Sequence, residues 1–159
     1  MTEKTNETLT DSTPESPDSE SPRHPFELGL ELYEQKAPFD HIIPLFEQGL
    51  NIAPRDSIGY TCLAWLHLLR NQEDDANKGM MYAQKAVRLD PNNAQANFNL
   101  VMAMLVNNTS GVRQEFQRAM SKLGTAEDRQ EVVTNFQDAL ERWPALDAAK
   151  KILAWIQGA

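Results

Sequence analysis

The 159-residue sequence contains one cysteine, Cys62, and only seven glycines, and these scarcities exclude several kinds of protein. One cysteine cannot form an internal disulfide framework. No glycine-rich loop of the kind that binds phosphates is present. No apolar run approaches the roughly 18 residues needed to span a bilayer, and the amino terminus lacks the apolar stretch of a signal peptide. We therefore expect a cytoplasmic protein that does not insert into a membrane.

Basic residues are also scarce, with 15 Lys and Arg against 23 Asp and Glu and a net charge of −8. Because nucleic acids and anionic membrane surfaces are bound by clustered Lys and Arg, neither is an expected partner. Residues 1–24 carry six acids and two bases, which is half of the net charge. This segment has no aromatic or β-branched aliphatic residue and is rich in Ser, Thr and Pro, so it is predicted to be a disordered acidic tail.

From residue 25 onward the apolar residues follow the three- and four-residue spacing of amphipathic helices. Turn formers divide this region into eight predicted helices. Asp40 is a candidate N-cap for the second helix, and Asp56 or Ser57 is the candidate for the third. Thr125 and Asp128 have the spacing of a capping box at the start of the seventh. No segment alternates with a period of two, so the predicted fold class is all-α.

A proline-containing turn recurs between these helices. It occurs at residues 50–57 and again at residues 88–95, so that Pro54 and Pro91 lie 37 residues apart. A turn that recurs at this spacing between amphipathic helices indicates a helical solenoid, in which each unit covers the apolar face of its neighbour.

These residues resemble the signature of the tetratricopeptide repeat (TPR) family, whose unit of roughly 34 residues is a pair of antiparallel helices. In the central repeat, the signature positions are held by Tyr60, Leu63, Ala64, His67, Gly79, Ala83, Ala86 and Pro91. The resemblance implies a right-handed helical-hairpin solenoid of about three repeats, at residues 25–55, 56–92 and 93–124. Residues 125–159 would form a degenerate repeat or capping helices.

In TPR proteins the first helix of each pair lines a concave groove that receives a peptide or a helix. The resemblance places nine side chains in that groove: Ile58, Thr61, Cys62, Trp65, Leu68, Gln95, Phe98, Asn99 and Met102. Leu105 would extend this neutral, apolar surface, and Glu27 and Glu31 would form an acidic lip. A second interpretation stays open, in which the apolar members pack against neighbouring helices or against the chain's own terminal segments.

Specialised chemistry is not expected on this surface. One TPR subset binds the terminal carboxylate of chaperones through Lys, Arg and Asn, and only Asn99 fits that pattern here. Without basic residues, a bound carboxylate would lose its water with no counter-charge. Cys62 lies among Leu and Trp and is interpreted as a small buried hydrophobe. The acidic run Glu73–Asp75 is expected to be a solvated loop that lacks the pattern of a calcium site.

The sequence therefore predicts a non-catalytic scaffold or adaptor that holds an apolar peptide or helix of a client protein, with assembly of a larger complex as one such role. No catalytic residue, metal, cofactor or small-molecule substrate is expected. The alternative is a structural subunit or a self-associating module, whose groove is occupied by its own helices or by those of a partner subunit. A homo-oligomer is compatible with either function.

Overall fold

The computed structural model describes residues 22–158, which form eight α-helices and no β-strand. The helices are α1 (Pro25–Glu34), α2 (Phe39–Ile52), α3 (Ser57–Arg70), α4 (Asp75–Leu89), α5 (Ala94–Val106), α6 (Val112–Ser121), α7 (Ala126–Arg142) and α8 (Asp147–Gly158). The all-α prediction is confirmed. Most of the predicted acidic tail, residues 1–21, lies outside the described residues. None of the helices within the described range combines the length and apolar character required to cross a membrane.

Helices α1 to α6 form three successive pairs. The helices of each pair pack on each other, and neighbouring pairs are joined by contacts of α2 with α3 and of α4 with α5. Close approach of the helices depends on small residues: a Cβ atom on Gly79 would lie 2.6 Å from a methyl carbon of Leu68. Each pair falls within one predicted repeat, and the prediction of a helical-hairpin solenoid is confirmed for this part of the chain.

The last two helices, which we call the C-terminal hairpin (α7 and α8), do not continue this stack. They pack on each other, and both pack against α5. Within the described part of the chain, α6 and α7 are not among the extensively packed helix pairs. The hairpin therefore returns toward the preceding repeats instead of adding a fourth layer after α6.

Local signals fix several helix ends. Of the two candidates for the cap of α3, Asp56 is the N-cap, and its side chain accepts a hydrogen bond from the N–H two residues later. Thr125 and Asp128 form the predicted reciprocal capping box of α7, with N···O distances of 3.0 and 3.1 Å. The predicted cap at Asp40 is wrong, because α2 begins one residue earlier, at Phe39.

Asp75 lies in a buried ionic cluster that joins α2, α3 and α4, and so the expectation of a solvated acidic loop is wrong at this residue. Its side chain is 0% exposed. Arg70 donates to both carboxylate oxygens at 2.9 Å, and the Gln72 N–H donates at 2.9 Å. His67 Nδ1 lies 2.7 Å from Oδ1 of Asp75. Arg70 also donates to Asp40 on α2 at 2.9 Å.

The cluster changes the protonation of its members. Burial raises the pKa of Asp75, but the hydrogen bonds from Arg70, His67 and Gln72 outweigh burial and lower this pKa to about 2. Burial lowers the pKa of His67, despite the neighbouring carboxylate. At neutral pH the uncharged imidazole therefore donates its Nδ1–H to the ionised Asp75.

Replacement of Asp75 by Asn should destabilise the fold by roughly 3 kcal/mol, because it leaves the partly buried Arg70 without its main counter-ion. Urea unfolding at pH 7 measures this change. Glu73→Gln, which alters an exposed acid in the same turn, is the matched control and should change stability by less than about 0.5 kcal/mol. Equal stability of the two variants would contradict the structural role of the cluster.

The cluster also predicts a pH dependence. The pKa of His67 is lower in the folded chain than in the unfolded chain, so unfolding takes up a proton and stability falls as the pH drops below about 6.5. Asp75 adds a second loss of stability between its ordinary pKa of 3.8 and about 2.

Denaturant unfolding at a series of pH values measures both losses of stability. His67→Phe, which can retain stacking on Tyr82, should flatten the curve between pH 7 and 5; an unchanged slope would contradict this assignment.

Candidate partner-binding site

Five of the nine predicted groove residues line one pocket of about 200 Å³: Thr61, Cys62, Trp65, Gln95 and Asn99. The other walls come from helices on either side. They are formed by Leu30, Tyr33, Phe46, Leu66, Asn135 and Asp138. The pocket is therefore enclosed by α1 and α2, by α3 and α5, and by α7 of the C-terminal hairpin.

The remaining predicted groove residues lie elsewhere. Leu68, Phe98 and Met102 are at most 1% exposed. Leu68 and Met102 lie in the wall of a second pocket of about 390 Å³, between α3, α5 and the start of α8. The C-terminal hairpin packs against α5, and Leu68 fills the space beside Gly79; a role for these three side chains in binding a client stays a prediction. Ile58 is 52% exposed but is not one of the side chains that line the pocket.

The acidic lip predicted on α1 is partly neutralised. Arg23 donates to Glu31 and lies 3.8 Å from Glu27, so one basic residue serves both acids. These three side chains are exposed or half-exposed, and their ion pairs add little to stability.

Phe136 of α7 is the side chain that covers the concave face. It is 0% exposed and makes edge-on contacts with Trp65 of α3 and Phe98 of α5, at ring-centroid distances of 5.4 and 6.4 Å. Further along, Arg142 lies over the Tyr33 ring of α1, and Trp143 stacks on Phe39. The hairpin therefore crosses the first helices of all three pairs.

A chain of amide hydrogen bonds runs across the same face. Asn135 of α7 donates to Gln95 at 2.9 Å, Gln95 donates to Asn99 at 2.8 Å, and Asn99 donates to the backbone carbonyl of Thr61 at 3.1 Å. Asn99 is buried, and Gln95 and Asn135 are half-buried. The hydrogen bonds avoid the cost of leaving the Asn99 amide unpaired. The bonds thereby set the position of α7 relative to α5 and α3.

Two of the three titratable side chains that line the pocket, Cys62 and Tyr33, have a raised pKa. Burial raises the pKa of the Cys62 thiol to about 12, with a smaller contribution from Asp56. Burial also raises the pKa of Tyr33, although its hydroxyl accepts a hydrogen bond from Trp65 Nε1 at 3.0 Å. A thiol in this state is a poor nucleophile. The pocket therefore presents a mainly apolar surface with a few hydrogen-bonding groups, and the Asp138 carboxyl group lies at its edge.

The sequence interpretation missed the residues of α1 and α7 that complete this site, above all Tyr33, Phe136 and Asn135. The apolar spacing of α7 indicates which of its faces is buried, but it does not show which helices that face contacts. No group of three or more His, Cys, Asp or Glu residues between positions 22 and 158 is arranged to hold a metal ion.

No protein-family model matches the chain, and no curated protein is significantly similar to it. Among solved structures, it is similar to a thermophilic TPR protein from Thermus thermophilus. The two are 18% identical, the match covers 85% of this chain and 98% of the other, and the TM-score is 0.42. A TM-score of 0.42 is too low to support an argument about the fold. The description of the chain as helical hairpins therefore rests on the contacts between its own helices.

The raised pKa of Cys62 predicts that the native chain resists alkylation. At pH 8.5 the thiolate population should be about a thousandfold smaller than for a thiol with the ordinary pKa of 9.0. Mass spectrometry after iodoacetamide treatment should show an unmodified native chain under conditions that label the urea-unfolded chain fully. Labelling of the native and the unfolded chain at equal rates would contradict the raised pKa of this thiol.

Proposed function

We propose that the chain is a non-catalytic protein-binding scaffold or adaptor, and that a client protein uses the pocket between α1, α3, α5 and α7. The observation that carries this proposal is the pocket itself, which has a volume of about 200 Å³ and an apolar lip at Leu30, 45% exposed. A cavity of about 150 Å³ suffices for a benzene-sized group. The pocket therefore fits one large apolar side chain of a peptide or helix.

Polar groups at the pocket would orient such a client. Thr61 and Gln95 lie in its wall, and the exposed Asp138 lies at its edge. A buried apolar anchor surrounded by a few hydrogen-bonding groups is the arrangement that dominates binding energy in protein interfaces. The neutral thiol of Cys62 adds to the apolar wall and offers no reactive group.

A second candidate function is favoured by a different observation. Phe136 fills the centre of the concave face, so the surface that could hold a whole helix is already occupied by the chain itself. The chain would then be a structural or self-associating module that uses its outer surfaces. Sedimentation analysis distinguishes this candidate, since a self-associating module would show a concentration-dependent dimer that pocket substitutions leave unchanged.

Leu30→Glu should weaken client capture about tenfold or more, because it places a charge at the lip of the apolar pocket. Quantitative affinity purification with the tagged chain, from the cells that produce it, measures this loss. Leu28→Glu is the matched control, since Leu28 is 37% exposed on the same helix and does not line the pocket.

Circular dichroism should show that both variants retain their helices. Capture of the same proteins in the same amounts by Leu30→Glu and Leu28→Glu would contradict the pocket as the client site.

A further inference from the structure

Helix α4 carries a basic stripe on the side turned away from its buried face. The stripe has the spacing of one helix face and places an exposed apolar residue among three bases: Lys78, Met81, Lys85 and Arg88. Met81 is 53% exposed. No carboxylate in the described part of the chain forms an ion pair with any of the three bases. The stripe is therefore a charged surface whose counter-charge has to come from elsewhere.

The stripe lies in a basic region of an acidic chain. Residues 76–124 contain six bases and two acids, whereas the other residues contain nine bases and 21 acids. Acids lie at the edges of the stripe, since Asp74 and Asp90 bound α4 and Glu47 of α2 acts on the neighbouring Tyr82. Because charges of one sign sum to a field that attracts the opposite sign, the stripe favours an acidic segment.

The amino-terminal tail contains a segment with the complementary pattern. Residues 1–21 carry six acids and one base, and their only large apolar residues are Met1 and Leu9. Leu9 stands two residues after Glu7 and two residues before Asp11. The tail thus has an apolar residue between two acids, and α4 has an apolar residue between two lysines.

The spacing of the two patterns also agrees. Two residues of extended chain span about 7 Å, which is the distance from the leucine to either acid along the tail. On α4, the rise of about 1.5 Å per residue puts Lys78 about 4.5 Å and Lys85 about 6 Å from Met81 along the helix axis. The lysine side chains can therefore reach both acids while the two apolar side chains cover each other.

The tail is long enough to reach this surface. A Cβ atom on Gly59 would lie 2.5 Å from a ring carbon of Phe26, so the start of α1 contacts the start of α3. The next residue, Tyr60, has the Nζ atom of Lys85 5.8 Å from its ring centroid. Residues 12–21 can span up to roughly 35 Å, which exceeds the distance across these few side chains.

We propose that residues 7–11 of the chain dock on the basic stripe of α4. Leu9 covers Met81, and the acids on either side of it pair with the lysines of the stripe. Exposed ion pairs are individually weak, but the tether gives the segment an effective concentration of millimolar order, at which weak contacts suffice. No residue of α4 lines the pocket of the proposed client, so the two sites are independent.

A second copy of the chain fits the stripe less well. The outer face of α7 carries exposed acids at the spacing of one helix face: Glu127, Glu131, Asp138 and Glu141. The other member of that face is Thr134, which offers no large apolar group to Met81. Such a contact would also join two different surfaces into an open assembly, and at micromolar concentration it would compete with a tethered segment.

Paramagnetic relaxation in the full chain tests where the tail lies. A nitroxide label on Ser12→Cys, next to the docked segment, should broaden the amide signals of residues 78–85 more than those of any other helix. The unsubstituted chain treated with the same reagent is the blank, because burial raises the pKa of Cys62. Raising the salt from 0.1 to 1 M shortens the screening length from about 10 to about 3 Å and should remove most of the broadening.

Charge reversal tests the pairing itself. Glu7→Lys with Asp11→Lys should lower the ratio of docked to free tail about tenfold, because two exposed ion pairs become like-charge contacts. Adding Lys78→Glu and Lys85→Glu to the same chain restores opposite charges and should restore the broadening.

The matched control for this rescue is Lys150→Glu with Lys151→Glu, which reverses two exposed bases on α8 and should restore nothing. Leu9→Ser should weaken the broadening at α4 without any change of charge. Circular dichroism should show that all variants retain their helices.

Broadening spread evenly over the surface, or a rescue by the α8 control equal to that by the α4 variant, would overturn the proposal. So would broadening that persists undiminished when the nitroxide and the ¹⁵N label are on different chains, since the occupant would then be the tail of a second copy. Because Leu30→Glu tests the pocket separately, failure of either site can be told from failure of the other.

Discussion

The contact of Phe136 with Trp65 and Phe98 determines how the rest of the molecule is arranged. A solenoid of helix pairs leaves apolar surface at its end and on its concave face, and some element has to cover it. Burial of a phenylalanine side chain contributes about 1.5–3 kcal/mol, and edge-on aromatic pairs add about 0.5–1.5 kcal/mol. Here that contribution comes from α7, which turns back across α5 and α3 and covers the face.

The polar features of the site depend on the same closure. The hydrogen bonds from Asn135 to Gln95 and from Asn99 to Thr61 lie at this covered face, where unpaired amides would be costly. The pocket is the part of the concave face that α7 leaves uncovered, and burial raises the pKa of the Cys62 thiol in its wall. One helix thus limits the size of the pocket and covers the neighbouring part of the concave face.

Much of the fold could be predicted from the sequence, because helix periodicity, proline turns and caps such as Asp56 and Thr125 are local signals. The position of α7 could not, since the spacing of Val132, Phe136 and Ala139 shows which face is buried but not what covers it. The burial of Asp75 was missed for a related reason. Its hydrogen bonds with His67 and Arg70 form only because the end of α3 and the start of α4 meet, and the surrounding run of acids is typical of an exposed loop.

The central claim is that α7 occupies the concave face of the repeats in solution. Nuclear Overhauser spectroscopy of the full chain tests it most directly, because the Phe136 ring centroid lies 5.4 Å from that of Trp65 and 6.4 Å from that of Phe98. The structure predicts cross-peaks from the Phe136 ring protons to both of these rings. A folded chain without either cross-peak would contradict the account.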